Sequence, residues 1–184
     1  MKTKKILVVI DCQNDFIDGS LRNEEAIKAV PNIVKKINEF DGDYILVTLD
    51  THGENYLETN EGKHLPVVHC VKNTDGWELH AEVANIVKGK MNAKVFQSVS
   101  FLKNTFGSLD LMNYISAIGY EYVEFIGLCT DICVASNAIM AKAFLPEAQI
   151  VVDPSCCAGV TPETHDAALT TMKMCQIDIL EAVE

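Results

Sequence analysis

The sequence lacks the features that would assign it to three common functional classes. No apolar run approaches the ~20 residues that a membrane-spanning helix needs. No Gly-x-Gly-x-x-Gly or Walker A motif follows a predicted strand, so neither a dinucleotide nor ATP is indicated. Lysine and arginine number 15 against 26 aspartates and glutamates, and they form no cluster. The net charge of -11 therefore makes nucleic acid and anionic membranes poor partners.

The cysteines indicate a reducing environment. There are seven, an odd number, spread through apolar segments, and no signal-peptide pattern precedes the first predicted strand. We therefore expect reduced thiols and a cytoplasmic protein. With 184 residues, 48% of them hydrophobic, the chain is expected to form a single domain over residues 1–184.

Short apolar runs and amphipathic segments alternate along the chain. Continuous β-branched runs are typical of strands buried on both faces, and apolar residues three and four apart indicate helices. The predicted strands are residues 5–10, 44–49, 94–97, 120–128, 149–153 and 177–180, and the predicted helices are 26–40, 77–88, 109–118, 134–144 and 162–174. This alternation predicts an α/β fold with a parallel sheet and helices on both faces.

Polar side chains follow the first two predicted strands, at the sheet edge where α/β proteins bind ligands. Asp11 and Asp15 come after the first strand, and Asp50 and His52 come after the second. The two aspartates of the first segment are also compatible with ordinary loop and capping roles. Residues 53–75 are too long for a simple connection, which indicates a functional loop.

Cys133 lies where a predicted strand turns into a helix. A thiol in the first turn of a helix faces unpaired backbone N–H groups and the positive end of the helix dipole, which favour the thiolate. Thr130 or Asp131 is expected to cap the helix, and the same N–H groups could stabilise an oxyanion. Cys133 is thus a candidate nucleophile. The alternative is a buried cysteine that acts only as a small apolar residue.

The second strand end and the long loop contain possible metal ligands. Asp50, His52 and His69 supply one carboxylate and two imidazoles, which suit a divalent metal with open positions. The alternative is a solvated polar loop with histidines on its surface. Cys70 is a possible soft ligand, but no second spaced pair accompanies it, so a structural zinc module is not indicated.

Three separated segments together resemble one known family. They are DCQNDF at residues 11–16, KNTFGS at 103–108 and GLCTDICV at 127–134. In this order and spacing they resemble the isochorismatase-like cysteine hydrolases over nearly the whole chain. Lys103 on its own would be taken for a solvated surface charge, and the resemblance is what makes it a candidate site residue.

The resemblance implies a fold and a catalytic triad. The triad would consist of Asp11, Lys103 and Cys133. The implied fold is a Rossmann-like three-layer sandwich whose six-stranded parallel sheet has the order 3-2-1-4-5-6. A non-proline cis peptide bond is implied at Leu128-Cys129, which would direct the N–H groups of Cys129 and Cys133 into one oxyanion hole.

Within this family the chain is most similar to the nicotinamidases. These carry a metal site that isochorismatases proper lack, and the matching residues here are Asp50, His52 and His69. Glu61 resembles an additional carboxylate ligand, with His64 as the competing candidate. The implied metal is divalent, zinc first, with iron or manganese as alternatives.

The resemblance also bears on the substrate. Phe16 and Phe106 are the implied substrate-binding aromatics, whereas Leu65 stands where many members have an aromatic. The implied reaction is hydrolysis of nicotinamide to nicotinate and ammonia through a cysteine thioester, as in NAD salvage. Another small amide or carbamoyl substrate, or a non-catalytic binding protein, remain alternatives. The expected partners are a small-molecule amide and further copies of the chain in a homo-oligomer.

Overall fold

The fold is a parallel sheet with helices on both faces. The computed structural model describes residues 3–92 and 98–181. Within these ranges the strands are β1 Lys5–Ile10, β2 Tyr44–Asp50, β3 Ser98–Lys103, β4 Tyr122–Leu128, β5 Gln149–Ala158 and β6 Asp178–Ile179. Their pairings are parallel, in the order β3-β2-β1-β4-β5-β6. The predicted fold class and strand order are confirmed.

The helices divide between two apolar cores. The described helices are α1 Asn14–Ile17, α2 Glu24–Glu39, α3 Asn60–His64, α4 Ala81–Asn92, α5 Leu109–Ile118, α6 Ala135–Phe144 and α7 Pro162–Met174. Successive residues of β1 point to opposite faces of the sheet, as the strand geometry requires. Ile6 and Val8 join the core formed with α5, α6 and α7, whereas Leu7 and Val9 join the core formed with α2 and α4. Both faces of the central strand are therefore buried.

In the middle of the chain, one predicted element lies outside the described residues and another differs from the structure. The strand predicted at residues 94–97 falls on residues 93–97, which lie outside the described residues, and the third described strand is β3. Lys103 therefore ends a strand. The helix predicted from residue 77 begins at Ala81, because Asp75–Trp77 forms a separate 3-10 turn and Glu78 is extended with ψ 153°.

The last strands also differ from their predicted bounds. β5 continues past Pro154 to Ala158, and its pairing with β4 shifts register between Phe125 and Gly127. Proline is tolerated at such an irregularity because no regular ladder hydrogen bond is required there. β6 is shorter than predicted. The prediction for α7 is confirmed, since Thr161 caps its first turn by accepting from the Thr164 N–H.

The carboxyl ends of β1 to β4 meet at one edge of the sheet. The order β3-β2-β1-β4 makes their ends neighbours, and Asp50 pairs directly with Lys103 in the ladder. Asp11 follows β1, and Cys129 follows β4. The residues predicted to be functional therefore converge on this edge. Among the described residues, no helix has the length and apolar character to cross a lipid bilayer.

Candidate active site

Lys103 contacts three ionisable side chains at the sheet edge. Its Nζ lies 2.6 Å from Asp11 Oδ2 and 3.4 Å from Cys133 Sγ. It also lies 3.3 Å from Asp50 Oδ1. All four residues are buried, none more than 6% exposed. The structure thus brings together the acid, the amine and the thiol that the resemblance implied as a triad.

Asp11 is fixed by the strand beside it. The chain leaves β1 at Asp11 with a positive φ of 45°, an uncommon conformation for a residue with a side chain. Thr48 of β2 donates its hydroxyl to Asp11 Oδ1 at 2.7 Å and accepts from the Asp11 N–H at 3.2 Å. Burial raises the pKa of Asp11, while the Lys103 charge acts in the opposite direction. A proton therefore binds this carboxylate more readily than an exposed aspartate.

The nucleophile segment begins with the cis peptide bond Leu128-Cys129, as the resemblance implied. Gly127, with φ 116°, precedes it, and a side chain at this position would collide with the backbone of Ile10. Residues Thr130–Val134 then form a π-helical turn before α6, in which the Cys129 carbonyl accepts from the N–H groups of Ile132 and Val134. The helix predicted from Val134 therefore begins at Ala135, directly after this wider turn.

The predicted capping role of Thr130 and Asp131 is wrong. Cys129 precedes the turn and makes no side-chain capping bond. The Thr130 hydroxyl instead lies 2.8 Å from His165 Nδ1, and the Asp131 carboxylate accepts from the Val160 N–H at 3.2 Å. Both residues therefore connect the turn to the region around the start of α7.

The environment of Cys133 differs from the one expected. Burial raises the pKa of the thiol well above its ordinary value, the Asp11 charge raises it further, and the Lys103 charge opposes them only in part. The expectation of a depressed pKa is wrong for this arrangement, because a fully buried sulfur loses the hydration that stabilises a thiolate. The Lys103 pKa is raised as well: burial lowers it, but its contacts with Asp11, Cys133 and Asp50 raise it more.

A second group of side chains lies beside Lys103. Asp50, His52, Glu61 and His69 each bring one possible ligand atom within 4.8 Å of the others. His52 Nε2 lies 3.0 Å from Asp50 Oδ2 and 3.6 Å from Glu61 Oε1, and His69 Nε2 lies 3.5 Å from Asp50 Oδ2. Burial opposes ionisation of Asp50, but its contacts with His52, His69 and Lys103 lower its pKa. This group unites the ligands that the sequence suggested.

The competing ligand candidates lie elsewhere. His64 is exposed, and its Nδ1 is 2.8 Å from the Asn60 carbonyl. Cys70 is buried, and its backbone N–H donates to Asp15 Oδ2 at 2.7 Å. Neither residue belongs to the group of converging ligand atoms. Of the two tentative candidates, Glu61 is therefore the one brought to the cluster.

The donor set fits a divalent cation. His69 Nδ1 lies 2.8 Å from the Val67 carbonyl, which can only accept, so Nδ1 carries the hydrogen. In the neutral ring Nε2 is then left with its lone pair toward the cluster, as a metal-binding histidine requires. Two imidazole nitrogens and two carboxylates are ligands suited to zinc, iron or manganese.

Two polar residues in the first motif, Gln13 and Asp15, support this group, although the sequence did not indicate a link between either of them and the metal ligands. The buried Gln13 accepts from the Asp50 N–H at 2.8 Å and donates to the Asp50 carbonyl at 2.9 Å and to the Trp77 carbonyl at 2.8 Å. Asp15 holds the backbone next to His69 through Cys70. Their position in the DCQNDF motif, next to Asp11, is the sequence feature from which a role at the site could have been predicted.

A cavity of about 460 Å³ opens beside both groups. Cys133 and Cys129 contribute to one part of its lining, and Asp50, Glu61 and His69 to another. Its remaining lining includes Phe16, Leu65 and Phe106, of which Phe106 is 44% exposed. The cavity can therefore hold a small molecule in contact with the thiol, the possible metal ligands and aromatic surface at once.

Comparisons with known proteins agree with this geometry. The model of the isochorismatase domain matches residues 5–183. The chain is 30% identical to an uncharacterized isochorismatase family protein, PncA of Bacillus subtilis, over 91% of this chain and 93% of that protein. A crystal structure of nicotinamidase/pyrazinamidase PncA from Bacillus subtilis superposes with a TM-score of 0.84 at 28% identity, covering 97% of this chain and all of that one.

A second crystal structure is relevant to the metal group. Pyrazinamidase of Pyrococcus horikoshii in complex with zinc superposes with a TM-score of 0.78 at 26% identity. The match covers 97% of this chain and 99% of that one.

Proposed function

The chain belongs to the isochorismatase family, and on that premise we propose that it is a nicotinamidase, hydrolysing nicotinamide to nicotinate and ammonia. The observation that carries the proposal is the contact of Lys103 with Asp11, Cys133 and Asp50. It joins a thiol suited to attacking a carboxamide to a group of ligand atoms suited to holding a metal. Nicotinamide presents both a carboxamide and a ring nitrogen.

The proposed first half-reaction forms a thioester on Cys133. Asp11 takes the thiol proton as the sulfur attacks the carboxamide carbon, and the Lys103 ammonium stabilises the developing thiolate. A neutral resting thiol fits this order of events, because burial raises the pKa of Cys133 and so keeps the proton on the sulfur until Asp11 accepts it. Collapse of the tetrahedral intermediate breaks the C–N bond, and Asp11 returns the proton to the leaving ammonia.

The second half-reaction uses the same groups in reverse. Asp11 removes a proton from water, which attacks the thioester carbon, and collapse releases nicotinate and restores the Cys133 thiol after proton return. In both halves the backbone N–H groups of Cys129 and Cys133 are the proposed donors to the oxyanion. A donor of this kind contributes roughly 3 kcal/mol to transition-state stabilisation.

We propose zinc as the metal, with iron or manganese as the ions that the same ligands would accept. Asp50, His52, Glu61 and His69 would hold it. When bound, the metal would supply a Lewis-acid contact for the pyridine nitrogen and so fix the ring rather than activate the amide. Phe16 and Phe106, which line the same cavity, are the proposed aromatic contacts of the substrate.

The remaining proposals concern the domain organisation, cellular compartment and oligomeric state of the protein. We propose that the whole chain forms one hydrolase domain, that it acts in NAD salvage in the cytoplasm, and that it assembles as a homo-oligomer. All seven cysteines are free in the structure, which supports a reducing compartment.

The test is a product assay with the purified protein. Nicotinamide should yield ammonia and nicotinate in equal amounts, and elemental analysis should find one of the three metals. Isochorismate and N-carbamoyl amides form the comparison panel. Turnover of a panel compound with none of nicotinamide would assign the protein to another member activity of the family, and no turnover of any compound would favour a non-catalytic role.

A further inference from the structure

The side chain of Asn137 makes a complete set of hydrogen bonds inside the protein. Asn137 lies on α6 and is fully buried. Its amide nitrogen donates to the Cys133 carbonyl at 2.8 Å and to the Phe106 carbonyl at 3.0 Å. Its amide oxygen accepts from the Ser108 N–H at 3.0 Å. Both donor hydrogens and the acceptor oxygen of the amide are therefore used.

The three partners belong to two parts of the proposed active site. The Cys133 carbonyl lies in the turn that carries the proposed nucleophile. Phe106 and Ser108 belong to the segment that begins after Lys103 and leads into α5, and Phe106 lines the cavity. Ser108 and Phe106 lie 29 and 31 residues from Asn137 along the chain, so local backbone geometry does not fix the position of their segment relative to the nucleophile turn.

A close approach of backbone and helix accompanies these bonds. A side chain at Gly107 would place its Cβ 2.5 Å from Met140 Sδ on α6. The segment after Lys103 therefore lies directly against the helix that carries Asn137. Ser108 also caps α5 by accepting from the Leu111 N–H at 3.2 Å, so the Asn137 bond to Ser108 fixes the start of that helix.

We infer that Asn137 is a positioning residue for amide hydrolysis at this site. This role rests on the proposed function. The buried amide of Asn137 sets the distance between the nucleophile turn and Phe106, the aromatic side chain that would contact the substrate ring. The Cys133 bond holds the turn whose N–H groups face the substrate carbonyl, and the other two bonds hold Phe106. Asn137 itself acts only through these groups.

Two substitutions separate the halves of this linkage. In Asn137→Ser, a helical serine can still donate to the carbonyl four residues earlier, which is that of Cys133, but it is too short to replace the bonds to Phe106 and Ser108. We expect KM for nicotinamide to rise about tenfold with kcat unchanged. In Asn137→Leu all three bonds are lost, and we expect KM to rise and kcat to fall, each by about tenfold.

The control is Ile33→Ala. Ile33 is fully buried in the core on the opposite face of the sheet, so its truncation lowers stability without contacting either segment. KM and kcat of this variant, measured on folded protein, should equal those of the wild type. Amide hydrogen exchange of Ser108 gives an independent measure, because its N–H donates to Asn137. Exchange there should accelerate in both Asn137 variants and stay slow in Ile33→Ala.

Unchanged KM and kcat in both Asn137 variants would overturn the inference. It would also be overturned if Ile33→Ala, at the same decrease in Tm, showed the same changes in KM and kcat as the Asn137 variants. Wild-type protein that releases no ammonia would instead overturn the proposed function. Protection of the Ser108 amide decides in either case whether Asn137 holds the segment, so the two failures are distinguishable.

Discussion

Two lysines of this molecule each bridge a pair of carboxylates, in different surroundings. Lys103 joins Asp11 to Asp50 at the carboxyl edge of the sheet, beside Cys133 and a cavity. Lys36, on α2, lies 2.8 Å from Glu124 Oε1 and 2.7 Å from Asp153 Oδ2, over the middle of strands β4 and β5.

The surroundings explain why these similar charge groups have different roles. The Lys36 group is completed by structural partners: the Tyr122 hydroxyl donates to Glu124 at 2.9 Å, and the hydroxyl and N–H of Ser155 donate to Asp153. The Lys103 group instead has a thiol as its further partner and borders the cavity that Cys133 and Asp50 line. A lysine with two carboxylates is therefore a reactive arrangement only where a nucleophile and substrate access meet it.

The largest contrast is expected from replacing each lysine by methionine. Lys103→Met removes the cation that faces the Cys133 sulfur, and we expect kcat/KM to fall about 10²- to 10⁴-fold. Lys36→Met should retain the kcat/KM of the wild type, measured per folded molecule by ammonia release. Equal losses of activity in the two variants would remove the distinction between the groups.

The metal ligands extend the same comparison. His52→Ala removes one of two imidazoles beside Asp50, and we expect metal content to fall and KM for nicotinamide to rise at least about tenfold. Elemental analysis and steady-state kinetics check the two effects together. His64→Ala is the matched control, because His64 ends α3, close to Glu61 in the chain, but lies outside the group. Full metal content in His52→Ala would remove His52 from the site.

The Lys36 group should matter for stability rather than for activity. Lys36→Met leaves Glu124 and Asp153 without their shared cation in a largely buried position, and we expect a loss of roughly 3 kcal/mol in the free energy of unfolding. Denaturant unfolding measures it. Lys35→Met, at an exposed neighbouring position, provides the control and should change stability little. An unchanged unfolding free energy in Lys36→Met would contradict a structural role for this group.

The smallest expected effect is in the pH dependence of unfolding. Burial opposes ionisation of Asp153, but Lys36 and Ser155 lower its pKa below the ordinary value of 3.8. A carboxylate with a lowered folded-state pKa stabilises the protein above its unfolded pKa, and this contribution is lost as pH falls through the folded pKa. Aspartates titrate roughly between pH 5 and 2. As the pH falls through this range, the unfolding free energy of Asp153→Asn should therefore decrease less steeply than that of the wild type. Parallel curves would show that the ion pair contributes nothing.

The sequence was sufficient for the residues that end strands. Asp11 and Asp50 could be predicted because a parallel sheet gathers such residues at one edge. Cys133 could be predicted from its position between a strand and a helix, and Lys103 only from the family resemblance. The Lys36 group was not predicted, since Glu124 and Asp153 lie within apolar runs and their partner is on a distant helix. For the same reason the bonds of Asn137 were missed.

Two errors have physical causes that the sequence does not display. The capping prediction failed because the turn before α6 is π-helical, so Thr130 and Asp131 contact His165 and Val160 rather than the start of their own helix. The pKa prediction for Cys133 considered the backbone N–H groups and the helix dipole but not the burial of the sulfur, which raises the pKa by more than the Lys103 charge lowers it. Local sequence predicts the neighbours of a side chain better than its depth in the fold.

The most direct measurement compares two buried cysteines. Ammonia release from nicotinamide is measured for Cys133→Ala and for Cys156→Ala, with unfolding curves to establish that both variants fold. Cys133 lines the cavity and contacts Lys103, whereas Cys156 lies in the other core with the α2 side chains. We expect no detectable turnover in Cys133→Ala and retained turnover in Cys156→Ala. Wild-type turnover in folded Cys133→Ala would contradict the thioester mechanism.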